Sequence, residues 1–203
     1  MCIRDRSLIG TFKSGRHYEA SWTATQNTEA TLADPNSLTY LKEGYDKLDF
    51  SFENINGETI SLTDAKYNGK AKLIQIFGTW CPNCKDETKF LIDYFKQNPT
   101  PEIEVIGLAF EKHRDIDKAK AAVRRYKERL GMDYELLVAG YSDKKEAATA
   151  LPMLNHILAY PTLIFLDKEN KVKKIHTGFA GPATSKYKDF KVAFDETMQE
   201  LVN

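Results

Sequence analysis

Cys81 and Cys84 stand three residues apart in Trp80-Cys81-Pro82-Asn83-Cys84, and two thiols at that spacing can form and break a disulfide. The apolar run before them, with Leu73, Ile74, Ile76 and Phe77, reads as a buried strand that Gly78-Thr79 breaks before a helix opens. The first turn of a helix offers unpaired backbone N–H groups and the positive end of its dipole. A thiolate at Cys81 is therefore stabilised, and its pKa is expected below the roughly 8.5 of a free thiol. Cys81 is the expected nucleophile. Cys84 faces the same side one turn deeper, near enough to pair with Cys81 but less exposed, as a resolving thiol must be. Pro82 suits the first helical turn, where its missing N–H has no partner to lose.

Two blander readings stand beside this one. A zinc half-site would need two more ligands, yet there is no second cysteine pair, and His17, His113, His156 and His176 are scattered without metal-ligand spacing. The two cysteines could also be plain structural thiols.

Behind the pair, the helix runs to about Gln97 and stops before Pro99. Its inward stripe is Cys84, Glu87, Leu91 and Tyr94 or Phe95, which places a carboxylate on the buried side beneath the resolving cysteine. A desolvated carboxylate has a raised pKa and can carry protons near neutral pH, which the attack of Cys84 on a mixed disulfide requires. The alternative is an exposed Glu87 paired with Lys85 or a neighbouring lysine.

The 203 residues give room for one ordinary domain and some extra chain. Lysine plus arginine equals aspartate plus glutamate at 29 each, so charge favours neither a nucleic acid nor an anionic membrane as partner. No apolar run approaches the 18 or so residues of a transmembrane helix. The opening Met1-Cys2-Ile3-Arg4-Asp5-Arg6 lacks the apolar core of a signal peptide and resembles a translated sequencing adaptor. The natural start is therefore expected upstream, and Cys2 carries no weight.

Residues 8–25 read as a hairpin around Ser14-Gly15, with Tyr18, Ala20, Trp22 and Ala24 on one face, followed by a turn-rich stretch with Asp34-Pro35-Asn36 as its breaker. Residues 1–40 are read as the tail of an upstream β domain plus a linker, with an extension packed on the main domain as the alternative. Asn56-Gly57 between β-prone runs predicts a second hairpin, and Asp64 to Asn68 a single helical turn. Ile103 to Phe110 is a second buried strand. Asp115 to Leu130 is an amphipathic helix with Ile116, Ala119, Val123, Tyr126 and Leu130 inward and a basic outer face that is expected to be solvated. Tyr134 to Ala139 reads as a strand, Asp143 to Leu151 as a short helix, Leu163 to Leu166 and Val172 to Thr177 as a strand hairpin, and Lys186 to Val202 as a last helix.

The order strand, Trp-Cys-x-x-Cys helix, strand, helix, strand, Tyr160-Pro161-Thr162, hairpin and helix resembles the thioredoxin superfamily, and within it the TlpA/ResA branch, over roughly residues 45–203. The Gly78-Thr79-Trp80 lead-in, Glu87 three residues after the second cysteine and the helix inserted at 115–130 fit that branch. The resemblance implies an α/β three-layer sandwich, with a mixed central sheet and helices on both faces, following an N-terminal β-hairpin. It also implies a thiol-disulfide oxidoreductase, with Cys81 attacking, Cys84 resolving, Glu87 as acidic helper and Pro161 as the cis-proline facing the pair. A cis peptide there exposes the backbone of Tyr160 to an extended substrate chain; an ordinary trans proline is the alternative. Trp80, Pro82, Tyr160 and Thr162 are the substrate contacts implied. Trp80 reads as a hydrophobic platform or as core packing, and His156 as a loop histidine with a local hydrogen bond.

The resemblance implies protein disulfide or dithiol substrates, a redox partner protein, an envelope or periplasmic location, and cytochrome c maturation as one setting. It requires no metal and no organic cofactor. Two departures stand out: Gln75 replaces thioredoxin's buried aspartate six residues before the first cysteine, and Pro82-Asn83 replaces Gly-Pro between the cysteines. Two rivals remain. A peroxiredoxin-type thiol peroxidase would need proline at 74 and threonine at 78, where this chain has Ile74 and Gly78; a redox-switched binding module would use the pair only to change an interface.

Overall fold

The computed structural model describes residues 6–14 and 18–202; His17 and Cys2 lie outside the described residues. The chain divides into two compact units, Met1–Ala33 and Asp34–Asn203.

The first unit holds an antiparallel hairpin of β1 (Ser7–Ser14) and β2 (Tyr18–Thr25), paired from Ser7 with Thr25 to Ser14 with Tyr18. Gly10 faces Trp22, and a Cβ at Gly10 would lie 2.6 Å from the indole, so this pair needs glycine.

The second unit begins earlier than the sequence suggests. Thr177 N–H donates to the Pro35 carbonyl at 2.9 Å, Tyr40 N–H donates to Asn155 Oδ1 at 3.0 Å, and Thr39 is buried. Residues 34–40, placed in a linker by composition, are thus part of this unit: their backbone groups satisfy those of the chain beneath them.

Its sheet has seven strands: β3 (Ser51–Asn54), β4 (Thr59–Ser61), β5 (Ala71–Phe77), β6 (Ile103–Glu111), β7 (Glu135–Tyr141), β8 (Thr162–Leu166) and β9 (Val172–Thr177), in the order β4-β3-β7-β6-β5-β8-β9. β5 runs parallel to β6 and antiparallel to β8, and β6 is parallel to β7, so the sheet is mixed. Every residue of β5 is buried, as its unbroken run of large side chains requires of a strand covered on both faces.

The helices are α1 (Pro82–Gln97), α2 (Ile116–Leu130), α3 (Lys144–Ala150) and α4 (Tyr187–Val202). Alternation along the strands decides which face each helix covers. Leu73, Val105, Leu163 and Phe165 pack with Leu91 of α1 and Phe190, Phe194 and Met198 of α4. Phe77, Ala109 and Leu136 pack with Cys84 of α1 and Ala119, Val123 and Tyr126 of α2. On the other face Ile74, Ile76, Ile106 and Ile164 meet Leu48, Phe50, Ala147 of α3, Leu151 and Leu154.

Local chemistry sets the joints. Asp115 caps α2 by accepting from Lys118 N–H at 3.0 Å, and Gly131, at φ 66°, ends it in the left-handed conformation. In the turn before β4, Asn54 Oδ1 accepts from the N–H of Asn56 at 2.9 Å and of Glu58 at 3.0 Å. One expected core position does not hold. Ile116 is 45 % exposed, because it is the first residue after the cap and lies beyond the strip of α2 that meets the sheet.

Candidate active site

The end of β5 and the start of α1 place the cysteines. Cys81 is the N-cap of α1, with extended backbone at φ −94° and ψ 117°, and Pro82 follows at the surface in the first turn. The Cys81 sulfur accepts the Cys84 N–H at 3.3 Å and lies 3.5 Å from the Tyr160 carbonyl oxygen. A hydrogen bond from the Cys84 thiol pulls the Cys81 pKa down to about 7. Burial works against it, and the N–H groups of Cys84 and Asn83 add to the lowering. Cys84 has no exposed surface, against 7 % for Cys81, and burial pushes its thiol far up. Cys81 is thus more covered than an open helix end suggests, yet it is the acidic and outer member of the pair. Both cysteines are free thiols in this structure.

Glu87, one turn further along α1, is fully buried. Its Oε2 accepts from Gln75 Nε2 at 2.9 Å, while Oε1 has no hydrogen-bond partner among the described residues. Burial raises its pKa well above the usual carboxylate range, the Gln75 amide opposes that rise, and the charge of Cys81 adds to it.

Behind Glu87 lies a polar cluster that the periodicity of the chain conceals. Gln75 Oε1 accepts from Tyr134 OH at 3.2 Å and from Thr88 Oγ1 at 3.4 Å, and Thr88 Oγ1 in turn accepts from Tyr126 OH at 3.2 Å. Tyr126 occupies a position that the helical stripe marks as core, and nothing in its spacing announces a bonded hydroxyl.

A second set of contacts holds the rim. Trp80 is 37 % exposed; its Nε1 donates to the Phe110 carbonyl at 3.0 Å, its ring meets Tyr160 edge-on with centroids 5.5 Å apart, and Lys112 Nζ sits 4.7 Å from its centroid. The buried Glu111 carboxylate accepts from the N–H and the hydroxyl of Thr79, each at 2.8 Å. Glu111 went unnoticed as the last residue of an apolar strand; a carboxylate ending such a run beside the Gly78-Thr79 break was the available signal.

The Tyr160-Pro161 peptide is cis, and the loop places it against Cys81. Cys81, Cys84, Glu87, Trp80, Tyr160 and Pro161 are therefore gathered in one place. Thr162 is not open to a substrate. It is fully buried, pairs with Ile76 and Thr177 in the sheet, and turns its hydroxyl back to the Ala159 carbonyl at 2.9 Å. The local hydrogen bond expected of His156 is absent at Nε2, which is buried without a partner among the described residues. Among those residues no group of three or more His, Cys, Asp or Glu is arranged to hold a metal ion, and no helix is long and apolar enough to cross a membrane.

The strand order, the dithiol at the head of α1 and the facing cis-proline define a protein of the thioredoxin superfamily, of the TlpA/ResA type. The chain belongs to the AhpC/TSA family, whose model matches residues 44–175. It is 26 % identical over 138 residues to the thiol-disulfide oxidoreductase ResA of Bacillus subtilis, an alignment covering 68 % of this chain and 69 % of that protein. It is 27 % identical over 138 residues to the thioredoxin-like protein YneN of the same organism, covering 68 % and 73 %. Among solved structures, a Chlorobium tepidum protein assigned as the thiol:disulfide interchange protein DsbE superposes with a TM-score of 0.60 at 15 % identity, covering 81 % of this chain and 100 % of that one. At that identity the likeness speaks to the fold alone.

Proposed function

We propose that this chain is a thiol-disulfide oxidoreductase that exchanges electrons with protein disulfides through Cys81 and Cys84. The observation that carries the reading is the Cys81 sulfur at the head of α1, acidic at about pH 7, beside the Tyr160 carbonyl and the exposed Trp80. The Cys81 thiolate attacks one sulfur of a substrate disulfide; that bond breaks, the other substrate sulfur leaves as a thiolate, and a mixed disulfide forms at Cys81. Cys84 passes its proton to Glu87 and attacks the Cys81 sulfur. The Cys81–Cys84 bond forms, the second substrate sulfur leaves, and two electrons have moved from the enzyme pair to the substrate. Trp80 and Tyr160 offer an apolar rim to the partner chain, and the backbone around Pro161 faces the sulfur. An envelope compartment, and a partner protein that re-reduces the pair, accompany this reading through the resemblance to the TlpA/ResA branch.

The geometry disfavours thiol peroxidase chemistry. Ile74 lies mid-strand between β6 and β8, where proline would remove a ladder donor. A Cβ at Gly78 would lie 2.3 Å from Trp80 Nε1 and 2.9 Å from the Phe110 carbonyl, so the threonine of that pattern has no room. Insulin reduction under a dithiol donor tests the proposal. Cys81→Ser is expected to abolish turnover while the fold is kept; undiminished turnover would remove Cys81 from the mechanism.

A further inference from the structure

We propose that Tyr134, acting through Gln75, is a positioning residue that holds Glu87 ready to take the proton of Cys84. The inference rests on the exchange chemistry proposed above and assigns a role to a residue 53 positions or fewer from each cysteine in sequence but joined to them only by the fold.

A buried carboxylate serves as a base only while something keeps it an acceptor. A primary amide is ambivalent in this respect: turned one way it offers N–H to Glu87, turned the other way it offers a carbonyl oxygen, which only a protonated Glu87 could satisfy. The surroundings of Gln75 decide between the two. A phenol hydroxyl is a better donor than acceptor, and Tyr134 OH lies 3.2 Å from Gln75 Oε1. Thr88 Oγ1 accepts from Tyr126 OH and from Gln75 Nε2, each at 3.2 Å, which leaves its one proton for Gln75 Oε1 at 3.4 Å. Two donors thus converge on the amide oxygen, and the amide nitrogen donates one N–H to Glu87 Oε2 at 2.9 Å and the other to Thr88 Oγ1 at 3.2 Å.

The cluster is ordered from phenols at the back to the carboxylate at the front. Glu87 Oε1 remains without a partner among the described residues, as the atom free to accept a proton. The amide also separates Glu87 from the phenols, because a side-chain amide does not readily hand protons along. The proton taken from Cys84 therefore stays on the cysteine side. The titratable groups around Glu87 are Cys81 and Cys84 of α1, Tyr126 of α2 and Tyr134 ahead of β7, with Arg129 and Asp133 further out beside the two tyrosines. Burial holds both phenols neutral well past physiological pH, so they act as donors throughout the working range.

The test is stopped-flow reaction of the reduced protein with 5,5′-dithiobis(2-nitrobenzoate), in which the first thionitrobenzoate marks attack by Cys81 and the second marks attack by Cys84. In the intact protein the second phase is expected to rise with pH along a Glu87-dependent limb. Tyr134→Phe is expected to move the midpoint of that limb up by about 0.5–1 pH unit, the worth of one hydrogen bond, and to leave the first phase unchanged. In a Glu87→Gln background, Tyr134→Phe should add no shift. Thr88→Val removes the other donor, together with the oxygen that accepts the second amide N–H, and should move the limb the same way, which keeps the inference open to refutation if Tyr134→Phe does not fold. Should Glu87→Gln leave the second phase untouched, the role of Glu87 itself falls, and this inference with it. If Glu87→Gln slows the second phase while the Tyr134→Phe and Thr88→Val profiles overlie that of the intact protein, the exchange reading survives and this inference alone is overturned. A shift by Tyr134→Phe that persists with Gln at 87 would equally overturn it.

Discussion

At the scale of single residues, the site depends on unequal burial. Cys81 and Cys84 share one environment, yet one accepts hydrogen bonds and the other is shut away, so their acidities separate in opposite directions. Glu87 is held at a cost that pH exposes. Its folded pKa is raised above the unfolded value, so above about pH 4.5 the unfolded chain releases a proton that the folded one keeps. Stability therefore falls by roughly 1.4 kcal/mol per pH unit until the folded pKa is passed. Glu87→Gln removes that slope. Urea midpoints compared with those of the intact protein should show the substitution gaining relative stability as pH rises above about 4.5, and a difference that does not change with pH would contradict a carboxyl whose pKa burial raises. The placing of the cysteine pair and Glu87 at the strand-to-helix corner was legible because strand, break and helix are local signals, whereas the cis form of Pro161 was expected from the family resemblance alone. Tyr134 and Thr88 were not, since they meet at Gln75 across 59 and 13 positions of sequence.

At the scale of elements, the end of β6 holds the rim of the site. Phe110, Glu111 and Lys112 in succession fix the Trp80 indole, the Thr79 turn and the indole face. Glu111 offers two acceptor oxygens to two donors, and glutamine offers one, so Glu111→Gln leaves a Thr79 donor facing an N–H. A loss of about 1–3 kcal/mol is expected, with a change in Trp80 emission when Trp22→Phe leaves Trp80 as the single tryptophan. An unaltered urea midpoint and spectrum would show that Glu111 does not hold the loop. Element order was readable from periodicity and breakers, and Asn56-Gly57 and Pro99 both mark real ends. The misreadings share one cause. Ile116 was counted as core from spacing that cannot tell a cap-adjacent position from the middle of the stripe, and Thr162 looked like a contact from its place beside Pro161, although its strand is central and covered on both faces.

At the scale of the molecule, the site is complete only when distant pieces are folded together. Cys81 and Glu87 come from α1, Gln75 from β5, the rim from β6, Tyr126 from α2 and the facing peptide from the loop before β8. All lie within the unit beginning at Asp34, including the residues 34–40 whose polar composition hid their packing against Asn155 and Thr177. Backbone satisfaction of this kind leaves no periodic trace in sequence. Unequal acidity of the two thiols is thus a property of the fold, and alkylation with peptide mapping reads it directly. In the folded, reduced protein, iodoacetamide should modify Cys81 with a half-maximal rate near pH 7, leaving Cys84 unmodified through pH 9, and in denaturant both should titrate alike near the ordinary thiol value of roughly 8.5. Equal labelling of the two cysteines in the folded protein, or a Cys81 midpoint no lower than in denaturant, would contradict the account.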